Sequence, residues 1–275
     1  MKGGSMLNIV VCIKQVPYPD TPASVYVVDN TAKKIVLPGD VPLVISPFDE
    51  NAVEAGIRLK EQAGGKVTVL SLATRAATDV IRDLRHALAM GADSAVLLDD
   101  EAFTSGDSHG TAYCLAMAIK KLGNADIIIC GRQAADWDAG QTGLGIAEIL
   151  NLPAATPVRK ITARENRVEV ECIRENGYEV QELPLPVLLA VSNEANTPRI
   201  APLPGVIKAA KKKIPTWNAA DIGADLDRVG LKGSKTAILE LSIPKHEGIC
   251  ELIQGEGLEE AAFNLVNRLK QEKII

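Results

Sequence analysis

The chain has 275 residues, 47% hydrophobic but only 3% aromatic, and a formal net charge of −5. That is enough for a sizeable core built from Ala, Val, Leu and Ile, as suits an α/β sheet, and its acidic balance gives no field for nucleic acid or an anionic membrane surface. Five widely spaced cysteines without C-x-x-C, and three scattered histidines, form neither a disulfide framework nor a zinc set; this cysteine usage suits a reducing cytoplasmic setting.

Met1 to Ser5 has no signal-peptide core and reads as a remnant ahead of Met6, and no apolar run nears the roughly 20 residues of a membrane span. Leu7 to Ile13 is apolar and β-branched, a first buried strand that Pro17 and Pro19 stop. Lys14 at its exit is either a solvated lysine, the preferred reading, or a phosphate contact. A small hairpin is expected from Val25–Val28 and Ile35–Leu37. Ser46-Pro47-Phe48-Asp49 opens a helix reaching about Gln62, with Ser46 as N-cap, Pro47 in the first turn and Asp49 standing in for the acidic residue of a capping box.

Gly64-Gly65 ends that helix; strands follow at Lys66–Leu72, exiting through Ala73-Thr74-Arg75, and at Ser94–Leu98, with a helix at Thr78–Ala89 between them. Asp99-Asp100-Glu101 reads as a solvated loop rather than a metal site. A helix from about His109 to Leu122 leads to a strand at Asp126–Ile129. The alternation predicts a doubly wound, mostly parallel sheet.

After that strand comes the stretch that carries the most chemistry: Cys130 to Gly145, polar, punctuated by Gly140, Gly143 and Gly145, running into a helix over Ile146–Leu150. Free N–H groups at a helix start take anions, and glycine lets backbone approach a phosphate. Asp136 and Asp138 would repel phosphate and suit ribose hydroxyls or an adenine amine. The spacing matches neither common phosphate fingerprint, so a nucleotide loop and a plain strand–loop–helix connection both stand on these residues alone.

Beyond Pro153 the pattern turns to alternation at Thr156–Thr162, Arg167–Arg174 and Tyr178–Leu183, an antiparallel meander, followed by a last buried strand at Pro186–Val191. Asn193–Arg199 reads as a surface loop, Gly205–Lys213 as a short helix ending on a solvated Lys211-Lys212-Lys213. Ile214–Pro244 has no clean period and reads as an extended arm. Leu258–Gln271 is an amphipathic helix with Leu258, Ala261, Ala262, Leu265 and Leu269 in one stripe, suited to a partner subunit. No catalytic motif is present, which fits a protein whose cofactor does the chemistry.

Four stretches, over a span from Leu7 to Ile275, resemble the β subunit of an electron transfer flavoprotein: Val10–Pro17, Ser46–Ala55 (with Ser46 where the family has Asn), Gly131–Gly143 and Asn196–Lys213. The resemblance implies a Rossmann-like, adenine nucleotide alpha hydrolase-like domain over 7–213, and a C-terminal arm and helix over 214–275 that packs on an α subunit. It implies a heterodimer whose FAD, carried mainly by α, shuttles electrons between dehydrogenases, including acyl-CoA dehydrogenase, and an acceptor. The β subunit would hold a second nucleotide at Cys12, Ser46, Pro47, Phe48, Asp49, Leu72, Ala134, Ala135, Asp136, Trp137, Asp138, Ala139, Gly140, Gln141, Thr142, Gly143, Leu144 and Gly145.

Within the family that nucleotide is AMP in the simple type, or a second FAD reduced by NADH in the electron-bifurcating type. Thr142 in the Q-T-G position favours AMP; Lys14-Gln15-Val16-Pro17 and Gly106–Ala112 look more like the bifurcating group, and Trp137 departs from both. Asp136 would accept from the nucleotide, Thr142 and the N–H groups near Gly143 would hold phosphate, and Tyr18 would lie near the α-subunit flavin. The family's dehydrogenase-docking leucine aligns with Ala195. A stand-alone adenine-nucleotide or ATP-using module is the alternative from another class, although ATP-cleaving glycine motifs are missing.

Overall fold

The computed structural model describes residues 6–73, 77–243 and 250–275, with backbone alone at Ala77 and Thr78. The expected strand exit at Thr74-Arg75 and the Met1–Ser5 start lie outside the described residues. In chain order the elements are β1 Leu7–Ile13, β2 Gln15–Pro17, β3 Val27–Asp29, β4 Lys34–Val36, β5 Leu43–Ile45, α1 Pro47–Ala63, β6 Gly65–Leu72, α2 Ala77–Met90, β7 Ser94–Leu98, α3 Ser108–Leu122, β8 Ile127–Gly131 and α4 Thr142–Leu150. There follow β9 Ala154–Ala163, β10 Arg167–Arg174, β11 Gly177–Pro184, β12 Val187–Val191, α5 Leu203–Lys211, β13 Thr216–Trp217, α6 Gly230–Gly233 and α7 Leu258–Gln271.

One nine-stranded sheet runs β11-β10-β9-β12-β8-β1-β6-β7-β13. β1 pairs in parallel with β6 and with β8, and β12 in parallel with β8 and β9; only β10 pairs antiparallel, with β9 and β11. The chain is therefore an α/β fold with a doubly wound, mostly parallel sheet. The side-chain period of a strand feeds two cores: Ile9, Val11 and Ile13 of β1 enter one with α1 and α2, Val10 and Cys12 the other with α3 and α4. β1 leads through α1 to β6 on one side, whereas β7 leads through α3 back to β8 on the other. The order thus reverses between β1 and β8, and such a switch point leaves a crevice at the carboxyl ends of the strands.

The expected antiparallel meander joins the main sheet, because β9 begins parallel to β12 before turning antiparallel to β10. Two expectations change. β12 is not the last strand: β13 adds to the opposite edge beside β7, with Leu97 N–H donating to Pro215 O and Asp99 N–H to Trp217 O. The aperiodic stretch after Ile214 also seals this chain's own second core, where Ala219, Ile222 and Val229 are buried. Its contacts are irregular backbone and single apolar residues, which no periodicity announces.

Candidate functional site

At the switch point, Cys12 and Cys130 stand opposite each other in register near the ends of β1 and β8, both buried. The Cys12 sulfur beside it and burial push the Cys130 thiol well above its ordinary range. Leu72 closes the end of β6 alongside.

Asp49 ties the crevice together. One carboxylate oxygen accepts from Lys14 N–H at 2.8 Å, the other from Gly131 N–H at 2.9 Å, so a single buried side chain joins α1 to the exits of β1 and β8. Burial outweighs those donors and raises its pKa from 3.8 to about 7. The expected capping box is absent: Ser46 makes no side-chain capping bond, and Asp49 reaches the two strand exits rather than back to its own helix start. Ser46 Oγ instead takes Ala135 N–H at 3.4 Å, and Phe48 lies under the Arg132 guanidinium at 5.1 Å. The segment Ser46–Asp49 and the loop after β8 therefore face each other.

Lys14, at the exit of β1, reaches that loop and neither floats in solvent nor stands free for phosphate. Its Nζ pairs with Asp136 Oδ1 at 2.7 Å, and the same oxygen takes Trp137 N–H at 3.0 Å. Asp138 holds a left-handed conformation with φ 49° and accepts from Gln133 Nε2 at 2.8 Å, while Gly140 turns the chain with φ +63°. Trp137 is 54% exposed, and Ala139 and Gln141 are also exposed.

The structure moves both borders of the stretch. β8 runs on through Cys130 and Gly131, and α4 starts at Thr142, a turn before Ile146. Gly143 and Gly145 are thus helical glycines that let α4 pack closely: a Cβ would stand 3.4 Å from Cys130 Cβ and 2.9 Å from Ala112 Cβ respectively. Thr142, Gly143 and Leu144 form the first helical turn. No side chain caps α4 and its first turn carries no acidic residue, in contrast to α3, where Asp107 takes the N–H groups of His109 and Gly110. A polar crevice ending on an uncapped helix start can receive an anionic group, with Arg132 Nε buried and unpartnered beside the loop among the described residues.

The Electron transfer flavoprotein domain family matches residues 35–222, more than half of the chain. The electron transfer flavoprotein subunit beta of Thermoanaerobacterium thermosaccharolyticum is 43% identical over 98% of this chain and all of that protein. The caffeyl-CoA reductase-Etf complex subunit CarD of Acetobacterium woodii is 38% identical over 98% of this chain and 100% of its own length. Protein FixA of Azorhizobium caulinodans is 37% identical over 86% of this chain and 85% of that one. The chain belongs to the electron transfer flavoprotein β-subunit family. Among the described residues no helix is long and apolar enough to cross a membrane.

Around the crevice of this β subunit, Gly131 was not among the expected site residues. A Cβ there would lie 2.5 Å from Asp49 Oδ1 and 2.8 Å from the Phe48 carbonyl carbon. The signal was a glycine directly after an apolar strand and before a basic residue. The surface loop Asn193–Arg199 is also more constrained than expected. Arg199 forks onto Glu54 and Glu61, with Nε to Glu54 Oε2 at 2.8 Å, and Asn196 exchanges hydrogen bonds with Asn51. Ala195 packs partly buried against the first core. Lys212 is not solvated, since its Nζ donates to Ala92 O at 2.9 Å and Asp93 O at 2.8 Å.

Proposed function

We propose that this β subunit holds AMP in the crevice between β1 and β8 and joins an α subunit whose FAD exchanges electrons with a dehydrogenase. The observation that carries this reading is the uncapped start of α4 at the switch point, led into by a loop whose Ala135 N–H meets Ser46 Oγ. Thr142 and the N–H groups of Gly143 and Leu144 receive the phosphate. Asp136 spends Oδ1 on Lys14 and Trp137, which leaves Oδ2 for a ribose hydroxyl or the adenine amine. Cys12, Leu72 and Phe48 form the apolar wall.

Flavin supplies the redox chemistry when bound; this chain's residues hold and orient. Tyr18 borders a cavity of about 550 Å³ with Leu43, Val44, Pro47, Arg82 and His86, and we assign this hollow to the edge of the α-subunit flavin. The apolar stripe of α7, with no buried residue, is left for the α subunit. The second reading puts FAD in the crevice. It is favoured by Lys14-Gln15-Val16-Pro17 and Gly106–Ala112, which resemble the bifurcating type.

The test is a count of nucleotides released by denaturing the heterodimer. One FAD and one AMP per dimer is expected. Two FAD and no AMP overturns the assignment and makes the crevice a second flavin site. A dimer with one FAD and nothing else leaves the crevice without a nucleotide and sinks both readings.

A further inference from the structure

Three side chains on one face of α2 grip three different elements around a single hollow. Arg82 Nη2 donates to Leu43 O of β5 at 2.6 Å, Asp83 Oδ2 accepts from Gln15 Nε2 of β2 at 2.6 Å, and His86 Nε2 lies 3.1 Å from Glu50 Oε1 of α1. The hollow is the cavity of about 550 Å³ beside Tyr18. Leu43, Val44 and Pro47 make one wall apolar, which suits the flat edge of a ring, and the charged groups gather on the other.

Among the described residues, the titratable and charged groups around His86 are Glu50 from α1, Tyr18 and Asp20 from the segment after β2, and Arg82 and Asp83 on α2 itself, with Asp79 one turn earlier on the same helix face. Three carboxyl groups and one guanidinium therefore line the cavity with His86, and a neutral His86 leaves it short of positive charge. Burial holds the Asp83 carboxyl above its ordinary value. At His86 the hydrogen bond and charge of Glu50 outweigh burial and hold the imidazole above its ordinary 6.5, so its charge changes near neutral pH. The Glu50 carboxylate keeps one proton on Nε2; the second is gained and lost at Nδ1, and the side chain is 43% exposed to the water that supplies it.

We infer that His86, held against Glu50 on the wall of this cavity, takes up a proton as an electron enters the α-subunit flavin, and so sets how that flavin's potential depends on pH. This role rests on the assignment of the hollow to the flavin edge. The donor enzyme supplies the electron and water the proton, and no bond to the flavin forms or breaks. Added negative charge at the cavity favours the imidazolium, and by linkage the imidazolium favours the added electron.

The experiment is a spectroelectrochemical titration of the heterodimer from pH 5.5 to 9, reading the first one-electron midpoint potential of the α-subunit flavin. In the wild type the potential should be highest where His86 is already charged, fall as pH rises through its titration above 6.5, and level off where it is neutral. His86→Gln should abolish that fall and hold the potential near the alkaline level. His86→Arg should abolish it too and hold the potential near the acid level, because a guanidinium stays charged. Glu50→Gln should move the fall to lower pH. Any slope that belongs to the flavin itself is common to all four proteins, and a merely structural histidine would displace the curve without changing its shape.

A wild-type fall retained in His86→Gln overturns the proton role. The cavity assignment is read separately: Tyr18→Ala should shift the flavin absorption maximum. A shifted maximum with unchanged His86 curves leaves the hollow as the flavin edge and sinks the histidine alone. An unshifted maximum with unchanged His86 curves sinks the assignment of the hollow, and the histidine with it.

Discussion

Helices α5 and α7 carry the same sequence signal, a short amphipathic pattern rich in Leu, Ala and Lys, and the fold treats them differently. α5 buries Ala209 against α2 and has its end tied by Arg85 and Lys212. α7 buries no residue, and among the described residues the hydrogen bonds that reach it from other segments come from its own arm: Arg268 to Glu251, Asn264 to Gln254 and Glu256 N–H to Glu260. Amphipathicity reveals that a helix has an apolar face; side-chain-to-backbone tethers decide whether the helix is a rigid platform or waits for a partner to hold it.

The sharpest way to break the contrast is to cut the tether before α5. Burial pushes the Glu54 carboxyl upward, but the hydrogen bonds from Arg199 and Arg58 win and hold it below the usual range. Arg199→Ala leaves a carboxylate that is 1% exposed with Arg58 alone, and should cost about 3 kcal/mol in urea unfolding. Arg199→Lys should recover only part, because an ammonium cannot fork onto two carboxylates. A loss below about 0.5 kcal/mol would mean that the loop is not held by this network.

A second cut is at the contact itself. A Cβ on Gly205 would lie 2.3 Å from Ala89 O, so Gly205→Ala must lift α5 from the end of α2. About 2 kcal/mol of destabilisation is expected, with faster hydrogen exchange over Leu203–Lys211. Unchanged exchange there would show that the helix is not pressed on α2.

The crevice adds a tether of opposite electrostatic sign. Asp49 is raised by burial to about 7, so its contribution is fully present below the ordinary carboxyl pKa of 3.8 and is lost as pH rises through about 7. Glu54 is depressed, so its contribution is present above the ordinary value and lost as pH falls. Urea midpoints across pH 4 to 8 should therefore fall less steeply for Asp49→Asn than for the wild type, whatever its absolute loss from facing an amine to an N–H donor. Parallel curves would remove Asp49 from the account.

The sequence made the regular parts plain because they are periodic. β1, α1, β7 and α7 lie within a residue or two of the expected spans, since a buried parallel strand is a continuous apolar run and an amphipathic helix repeats its apolar residues every three or four positions. What stayed hidden depends on residues far apart in sequence. Asp49 looks like a capping residue until the exits of β1 and β8 bring Lys14 and Gly131 to it. Gly143 and Gly145 look like loop glycines until α4 is seen to begin at Thr142 and press on Cys130 and Ala112. Arg199 to Glu54 spans a long sequence separation, and no local pattern encodes it. The family stretches gave the address of the crevice, whereas its bracing is a product of the topology.

The smallest effect belongs to α7, and it is the one that separates a tethered helix from a waiting one. Phe263 is 67% and Leu265 45% exposed, so Phe263→Ser with Leu265→Ser removes apolar surface that already faces water. The isolated chain should keep its unfolding free energy within about 0.5 kcal/mol, since no cavity forms and no buried group loses a partner. The heterodimer should weaken, measured by sedimentation with the α subunit, because those side chains would then be buried. If the isolated chain were destabilised by a kilocalorie or more, α7 would be packed on its own body in solution, and its resemblance to α5 would extend from pattern to structure.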